Sequence, residues 1–305
     1  MANAAPKRII VDFDNTMGVE GCDVDDGLAL LYLLGNPELA QVEAACTTYG
    51  NSDIETVNAA TDRLLAALRT AGVSIPVHHG AASAHAEAES DAARFLAQAA
   101  AAEPGVLHIL ATGSLTNLRH AAELDPAFFR NVASITVMGG VTESLFINGK
   151  IMNELNLSCD PAATRAVIEA PCPVTIATSH HCLPAFFRIA DFEEHFGRDS
   201  WLFRTCRYWF DDMDRRYAWG GFTCWDVVAA AALIHPELFE DERYPIALND
   251  RFIGVGFLER AAEGVPCATV STPRIADPAR FCADILATWQ KAVAPIACPQ
   301  NEHCS

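Results

Sequence analysis

RIIVDFDNTMGVEGCDVDDGLALLYLLGN, running from Arg8 to Asn36, decides the fold of this chain. It opens on Ile9, Ile10 and Val11, an apolar and β-branched run of the kind that forms a strand buried in a parallel sheet. It closes on Leu28, Ala29, Leu31, Tyr32 and Leu34 at helical spacing, so a helix follows the strand. Between them Asp12, Asp14, Asp23, Asp25 and Asp26 crowd the turn at the strand's carboxyl end. Open α/β sheets hold their ligands there. Helix capping accounts for one or two of these aspartates. The rest repel one another unless protons are shared or a cation neutralises them. A site with only oxygen ligands points to Ca²⁺ or Mg²⁺.

Outward from this stretch the strand–helix alternation repeats. Strands are predicted over Gln41–Thr48, Ile75–His79, Val106–Ala111, Ala133–Met138 and Pro173–Ala177. Helices are predicted over Asp53–Ala71, Ser90–Ala102 and Leu115–Glu123, with another opening at Asp160-Pro161. This pattern predicts an α/β fold, an open, mostly parallel (mixed) sheet with helices on both faces. Ala81–Glu89 reads as a flexible loop. Val141–Cys159 is a long connection rich in Asn, Gly and Glu, and such connections are usually functional. Pro184–His235 reads as mainly helical, with Trp201, Tyr208, Trp209, Phe210, Tyr217 and Trp219 as core or subunit contacts. Tyr244–Leu248, Phe252–Leu258 and Ala268–Ser271 are predicted to form a terminal β meander, and Pro278–Lys291 a closing helix. No linker or repeat divides the chain, so one domain is expected over residues 1–305, with a disordered tail from about residue 295 to 305.

The net charge of −18, with lysine only at positions 7, 150 and 291, excludes a nucleic-acid surface, which needs a basic stripe. Hydrophobic residues make up 51% of the chain, yet no apolar run is long enough to cross a bilayer, so no membrane partner is expected. The opening MANAAPKR lacks the apolar core of a signal peptide. The eleven cysteines include no CxxC pair. Together these predict a reduced, cytoplasmic protein.

Taken together, the motifs resemble the inosine–uridine-preferring nucleoside hydrolases. That family's signature is an Asp-x-Asp strand end, a Gly turn and an Asp-Asp pair opening a helix. Here it appears as Asp12-Phe13-Asp14 and Asp25-Asp26, separated by an insertion, NTMGVEGCDV (Asn15–Val24), longer than the usual turn. Further matches follow in family order: Thr47-Thr48-Tyr49-Gly50-Asn51, Leu110 to Asn117, Val137-Met138-Gly139-Gly140, Asn148, Glu154-Leu155-Asn156, Asp160-Pro161-Ala162-Ala163 and Trp225-Asp226. The resemblance covers nearly the whole chain, and the set in this order is specific.

The resemblance implies a Rossmann-like nucleoside hydrolase fold and a homodimer or homotetramer. It implies a calcium ion held by the carboxylates of Asp14, Asp26 and Asp226 and by the carbonyl of Thr112, with Asp14 as general base. It places Asp25, Asn148, Glu154 and Asn156 on the ribose hydroxyls, with Asn51 nearby. The implied reaction is hydrolysis of the N-glycosidic bond of a ribonucleoside to free base and ribose. That chemistry suits carboxylates, which stabilise an oxocarbenium-like sugar. The best-studied members carry His immediately before the last aspartate, where it protonates the leaving base. Trp225 stands there instead, able to stack on a base but not to donate a proton usefully. The segment between His79 and Ser90 is also shorter than the family's flap. His85, His180, His181 and Tyr217 are the substitute donors. Two other readings compete. Asp12 to Thr16 also resembles the Asp-x-Asp-x-Thr motif of haloacid-dehalogenase-type, Mg²⁺-dependent phosphatases. Trp225 also suits a catalytically impaired, calcium-dependent nucleoside or ribose binder.

Overall fold

The computed structural model describes residues 5–296. Strand β1 (Lys7–Phe13) leads through the acidic turn into helix α1 (Asp25–Leu34), followed by β2 (Ala40–Thr47), α2 (Ile54–Thr70), β3 (Val77–His78) and α3 (Asp91–Ala102). Next come β4 (Leu107–Ala111), α4 (Thr116–Leu124), the short α5 (Phe128–Asn131) and β5 (Ser134–Met138). A hairpin of β6 (Leu145–Ile147) and β7 (Lys150–Met152) precedes α6 (Pro161–Ile168), β8 (Val174–Ala177) and α7 (Ser179–Cys182). The chain continues through β9 (Phe186–Phe187), α8 (Ile189–Phe196), α9 (Trp201–Tyr217), β10 (Phe222–Thr223) and α10 (Trp225–Ile234). It closes with β11 (Phe239–Ala247), α11 (Asp250–Ile253), β12 (Cys267–Ile275) and α12 (Pro278–Val293).

Eight strands form one sheet in the order β11-β12-β8-β5-β4-β1-β2-β3. All neighbours run parallel except the β11–β12 edge pair, so the sheet is mixed as the alternation predicts. From β1 the chain builds β2 and β3 on one side, then crosses to build β4, β5 and β8 on the other. The strand order therefore reverses between β1 and β4, the position at which open sheets leave a crevice for ligands.

Side-chain alternation along β1 serves two cores. Ile9, Val11 and Phe13 pack with α1, α10 and α12, while Ile10 joins Ile109, Ile135 and Val137 beneath α3, α4 and α6. Helix α1 is buried from Asp25 through Leu33, and α10 is nearly as enclosed. Both are apolar on every side, as interior helices are. The fully buried Trp289 donates its Nε1 to the Leu28 carbonyl at 2.8 Å and pins α12 against α1. Side-chain caps set several helix starts: Asp53 accepts from Thr56 N–H, Ser90 from Ala93 N–H and Asp160 from Ala163 N–H.

Two segments depart from the expected pattern. Phe252–Leu258, expected as a strand, begins as the end of α11 and continues as a turn. Asn249 caps that helix by accepting from Arg251 N–H, and Gly256 has φ +68, so the extended run is broken from both ends. Only a bridge between Val141 and Phe257 remains of it. The long connection Val141–Cys159, expected to lack regular structure, contains the β6–β7 hairpin. Its turn is Asn148-Gly149, with φ 48 and 78, the residue pair that two-residue hairpin loops favour. The predicted tail falls largely on residues 297–305, outside the described residues. No helix among the described residues is long and apolar enough to cross a membrane.

Candidate active site

The acidic turn, the end of β4 and the N-termini of α1 and α10 meet at the switch point. Asp14 accepts from the Asn51 backbone N–H at 2.5 Å, and the Asn51 amide also donates to Asp14 Oδ1 at 3.4 Å and Asp26 Oδ2 at 3.1 Å. Asp26 accepts a second bond from the Thr112 hydroxyl at 2.7 Å. Asp25 reaches across to the first turn of α10, where its Oδ2 accepts from the N–H groups of Trp225 (3.1 Å) and Asp226 (3.3 Å). A helix N-terminus favours an anion there. Carboxylate oxygens of Asp25, Asp26 and Asp226 lie within 4.8 Å of one another.

All of these carboxylates are buried, and none forms an ion pair with Lys, Arg or His among the described residues. Burial is the first cause of a pKa rise in each of them. It pushes Asp14 up to about 7. Asp26 and Asp226 rise well above the carboxylate range, through burial and then repulsion from their acidic neighbours. Asp25 rises by burial although hydrogen bonds from Asp23 and Asp226 oppose the shift. Carboxyls held this way keep protons or take up a cation.

Asp12, the fifth aspartate of the turn region, has a different place. It accepts from Asn117 Nδ2 at 2.9 Å, and the same amide donates to the Thr47 carbonyl at 2.9 Å. It ties the ends of β1 and β2 to α4 and does not line the cavity described next.

A cavity of about 240 Å³ opens above the cluster. At about 30 Å³ per water in the liquid, that volume suits a small molecule rather than a polymer. Asp25, Asn51, Thr112 and Asp226 line its floor, with Gly139, Glu154 and Asn156 along one side. Trp209, Met213, Arg216 and Tyr217 of α9 and Trp225 of α10 complete the lining. Asp14 and Asp26 lie just beneath the floor, joined to it through Asn51 and Thr112.

The remaining predicted residues divide. Asn156 donates to the Thr112 carbonyl at 2.7 Å and to the Met138 carbonyl at 3.1 Å, which fixes its amide over the end of β4. Glu154 lines the cavity, but its carboxylate accepts from three backbone N–H groups, those of Gly140, Leu157 and Ser158, and so shapes the wall. Trp225 lines the cavity. Asn148 does not. Its amide, at the hairpin turn, donates to the carbonyls of Tyr217 (3.0 Å) and Ala218 (2.8 Å). Of the four substitute proton donors only Tyr217 lines the cavity. His85 is exposed on its loop, and His180 and His181 lie on α7 outside the cavity wall.

Sequence reasoning counted Asp23 in the acidic turn and read Trp209 as a core or subunit contact, and it named neither Met213 nor Arg216 as a wall residue. Trp209, Met213 and Arg216 are spaced i, i+4, i+7 along α9, so they share one face, a signal present in the sequence. Asp23 reaches the cavity because the insertion folds back on itself and onto α9. Thr16 Oγ1 donates to the Asp23 carbonyl at 2.9 Å, Gly18 N–H to the Tyr208 hydroxyl at 3.2 Å, and Arg216 Nη2 to the Gly21 carbonyl at 2.8 Å.

The sequence profile described as "Inosine-uridine preferring nucleoside hydrolase" matches residues 9–260. The chain belongs to this family. It is a hydrolase acting on N-glycosyl bonds, and nucleoside hydrolysis is its class of reaction. Uridine nucleosidase 1 of Arabidopsis thaliana is 24% identical over 286 residues, covering 82% of this chain and 80% of that protein. The inosine-uridine preferring nucleoside hydrolase of Crithidia fasciculata is 24% identical over 279 residues, covering 80% and 84%. Among solved structures, a plant nucleoside hydrolase superposes with TM-score 0.79 at 22% identity, covering 93% of this chain and 99% of that one. The purine-preferring ribonucleoside hydrolase from Gardnerella vaginalis gives 0.78 at 21%, covering 95% and 100%. The nucleoside hydrolase fold is thereby shown. Membership sets aside the phosphatase reading of Asp12 to Thr16, in which Asp12 would be the nucleophile; here it is a buried tether bound to Asn117.

Proposed function

We propose that this nucleoside hydrolase cleaves ribonucleosides to free base and ribose, and that it holds a calcium ion at Asp14, Asp26, Asp226 and the Thr112 carbonyl. The observation that carries this reading is the convergence of the buried carboxylates of Asp25, Asp26 and Asp226, with buried Asp14 joined to Asp26 through the Asn51 amide and no cationic partner for any of them among the described residues. Their donors are all oxygen, the set that a hard cation such as Ca²⁺ takes. Bound there, the ion supplies Lewis acidity, orienting a water and making it more acidic.

The chain's own groups do the rest. Asp14, ionised once calcium displaces its proton, accepts the proton of the attacking water. Asp25, on the cavity floor, accepts from a ribose hydroxyl, and the Asn156 amide sets the sugar's position beside it. Buried carboxylates stabilise the positive charge that builds on the sugar as the bond breaks. Trp225 forms an apolar wall for the base. Dialysis against a chelator is expected to abolish release of reducing sugar from uridine, and calcium to restore it. Full activity after chelation would refute the metal, and loaded protein that binds uridine without cleaving it would favour the binder reading.

The stability of the metal-free protein is expected to depend on pH. Asp14 binds its proton more tightly in the folded chain than in the unfolded one, where the pKa is about 3.9. The stability this gives is complete below about pH 4 and is lost as pH climbs through about 7. The other raised carboxyls act in the same direction. Calcium displaces those protons, so its affinity should rise over the same window. Thermal melts with and without calcium across about pH 5 to 8 check both signs. A metal-free melting temperature that climbs with pH would contradict the assignment.

Gly50 provides a further test. It packs so closely on Asp14 that a Cβ there would overlap the carboxylate and lie 2.9 Å from its Cγ. Gly50→Ala is expected to weaken calcium binding by ~10–100-fold, as loss of a supporting contact does at other metal sites. Isothermal titration alongside circular dichroism checks it. Unchanged affinity in a folded variant would count against Asp14 as a ligand.

A further inference from the structure

The wall of the cavity formed by α9 holds a residue whose chemistry the family resemblance does not cover. We propose that Arg216 is a catalytic residue of this hydrolysis, its guanidinium facing the departing base and taking up the negative charge that builds on it. The assignment rests on the nucleosidase reading above and adds how the base leaves.

Three observations converge. The first is the gap at position 225. Tryptophan there cannot protonate a base, and three of the four other donor candidates lie outside the cavity. The second is the guanidinium itself. Arg216 is the only Lys or Arg among the residues lining the cavity. It is held in place from two sides, with its carbon 5.4 Å from the Trp209 ring centroid and Nη2 on the Gly21 carbonyl at 2.8 Å. Its carboxylate neighbour, Asp212, lies 3.8 Å away and is contacted more closely by Arg215, so it leaves Arg216 a positive charge to offer. The side chain is 48% exposed, so donor N–H groups remain open to a ligand. The third is the buried Nε1 of Trp209, in the same wall, which has no acceptor among the described residues. This wall of the site is rich in donors and suits a group that carries acceptors and gains negative charge.

The step balances without a proton donor. The bond between C1′ and the base nitrogen breaks with its electron pair passing to the base. The water oxygen bonds to C1′, and the water's proton passes to Asp14. The base departs as an anion paired with the guanidinium and is protonated by solvent after release. A donor placed where charge develops is worth ~10²–10³-fold in rate, and more as the base displaces water from around it.

The test uses the full chain with calcium and compares uridine, 5-fluorouridine and p-nitrophenyl riboside. Arg216→Gln keeps a polar, unbranched side chain and removes the charge. Its kcat on uridine is expected to fall ~10²-fold with KM little changed. The loss should be smaller on 5-fluorouridine and smallest on p-nitrophenyl riboside, whose leaving groups are better anions. Guanidinium added to Arg216→Ala should recover part of the uridine rate. Unchanged uridine kcat in Arg216→Gln overturns the proposal. So does an equal loss on all three substrates with a lowered melting temperature, which marks a purely structural role. Calcium-loaded wild type that leaves both nucleosides intact defeats the nucleosidase reading, and this assignment with it.

Discussion

Asp226→Asn is expected to cut uridine turnover by ~10³-fold or more while making the metal-free protein more stable. The two effects have opposite signs because the site is built against the resting preference of its own residues. Asp226 is buried at the first turn of α10 among Asp25, Asp26 and Asp14, and its charge is opposed by burial and by all three. Asparagine fills the same space without that charge, so repulsion in the empty cluster falls. A gain of about 1 kcal/mol would raise the melting temperature by ~2–4 °C. The same change removes a calcium ligand, so the stabilisation by added calcium and the turnover are lost together. Melting curves with and without calcium, read beside initial rates, test both. Wild-type turnover in the variant, or undiminished stabilisation by calcium, would sink the proposed ligand set.

Deoxyuridine is expected to be cleaved ~10³-fold more slowly than uridine, or worse. The cavity lining pairs an acceptor, Asp25, with an amide, Asn156, whose position over the Thr112 and Met138 carbonyls is already fixed. Groups fixed in this way cannot turn to other partners when the 2′-hydroxyl is missing. A buried carboxylate left without its donor is costly, and that cost falls on the transition state. The comparison is of kcat/KM for the two substrates in wild type and in Asp25→Ala. Equal values in wild type would remove Asp25 and Asn156 from sugar recognition. A variant that slows uridine and deoxyuridine by the same factor would do so for Asp25 alone.

The acidic turn was legible because its signals are local. A β-branched run, clustered aspartates and a helical apolar stripe each bias a few neighbouring residues, and all agree on strand, loop and helix. The carboxylates from distant segments were legible only through motif order, since nothing local brings Asp226 to Asp26. Asn148 and Arg216 mark the limit. Asn148 sits in an Asn-Gly turn, and which way a hairpin turn points depends on what the hairpin packs against. Here that partner is the end of α9, and the Asn148 amide faces its carbonyls. Arg216 lies one residue before Tyr217 in a charged run, Asp211-Asp212-Met213-Asp214-Arg215-Arg216, whose sequence does not say which side meets a ligand. Only the folding of the insertion onto α9 makes one side of that run a cavity wall. Phe252–Leu258 misled for a related reason, because its apolar residues alternate as a strand's do while Gly254 and Gly256 allow the chain to turn.

The β6–β7 hairpin grips the last turn of α9 by side chains alone. Lys150 donates to the Arg216 carbonyl, and Asn148 to those of Tyr217 and Ala218. The end of a helix always has carbonyls that its own backbone cannot satisfy. In this protein a segment some seventy residues upstream answers them. Fraying of the helix end would therefore cost the hairpin these partners, and lifting of the hairpin would leave those carbonyls unanswered. Leu145 and Met152 of the hairpin and Arg216 and Tyr217 of the helix all line the cavity, so the same contacts hold part of its wall together. The helix end and the cavity wall thus share one set of side-chain contacts.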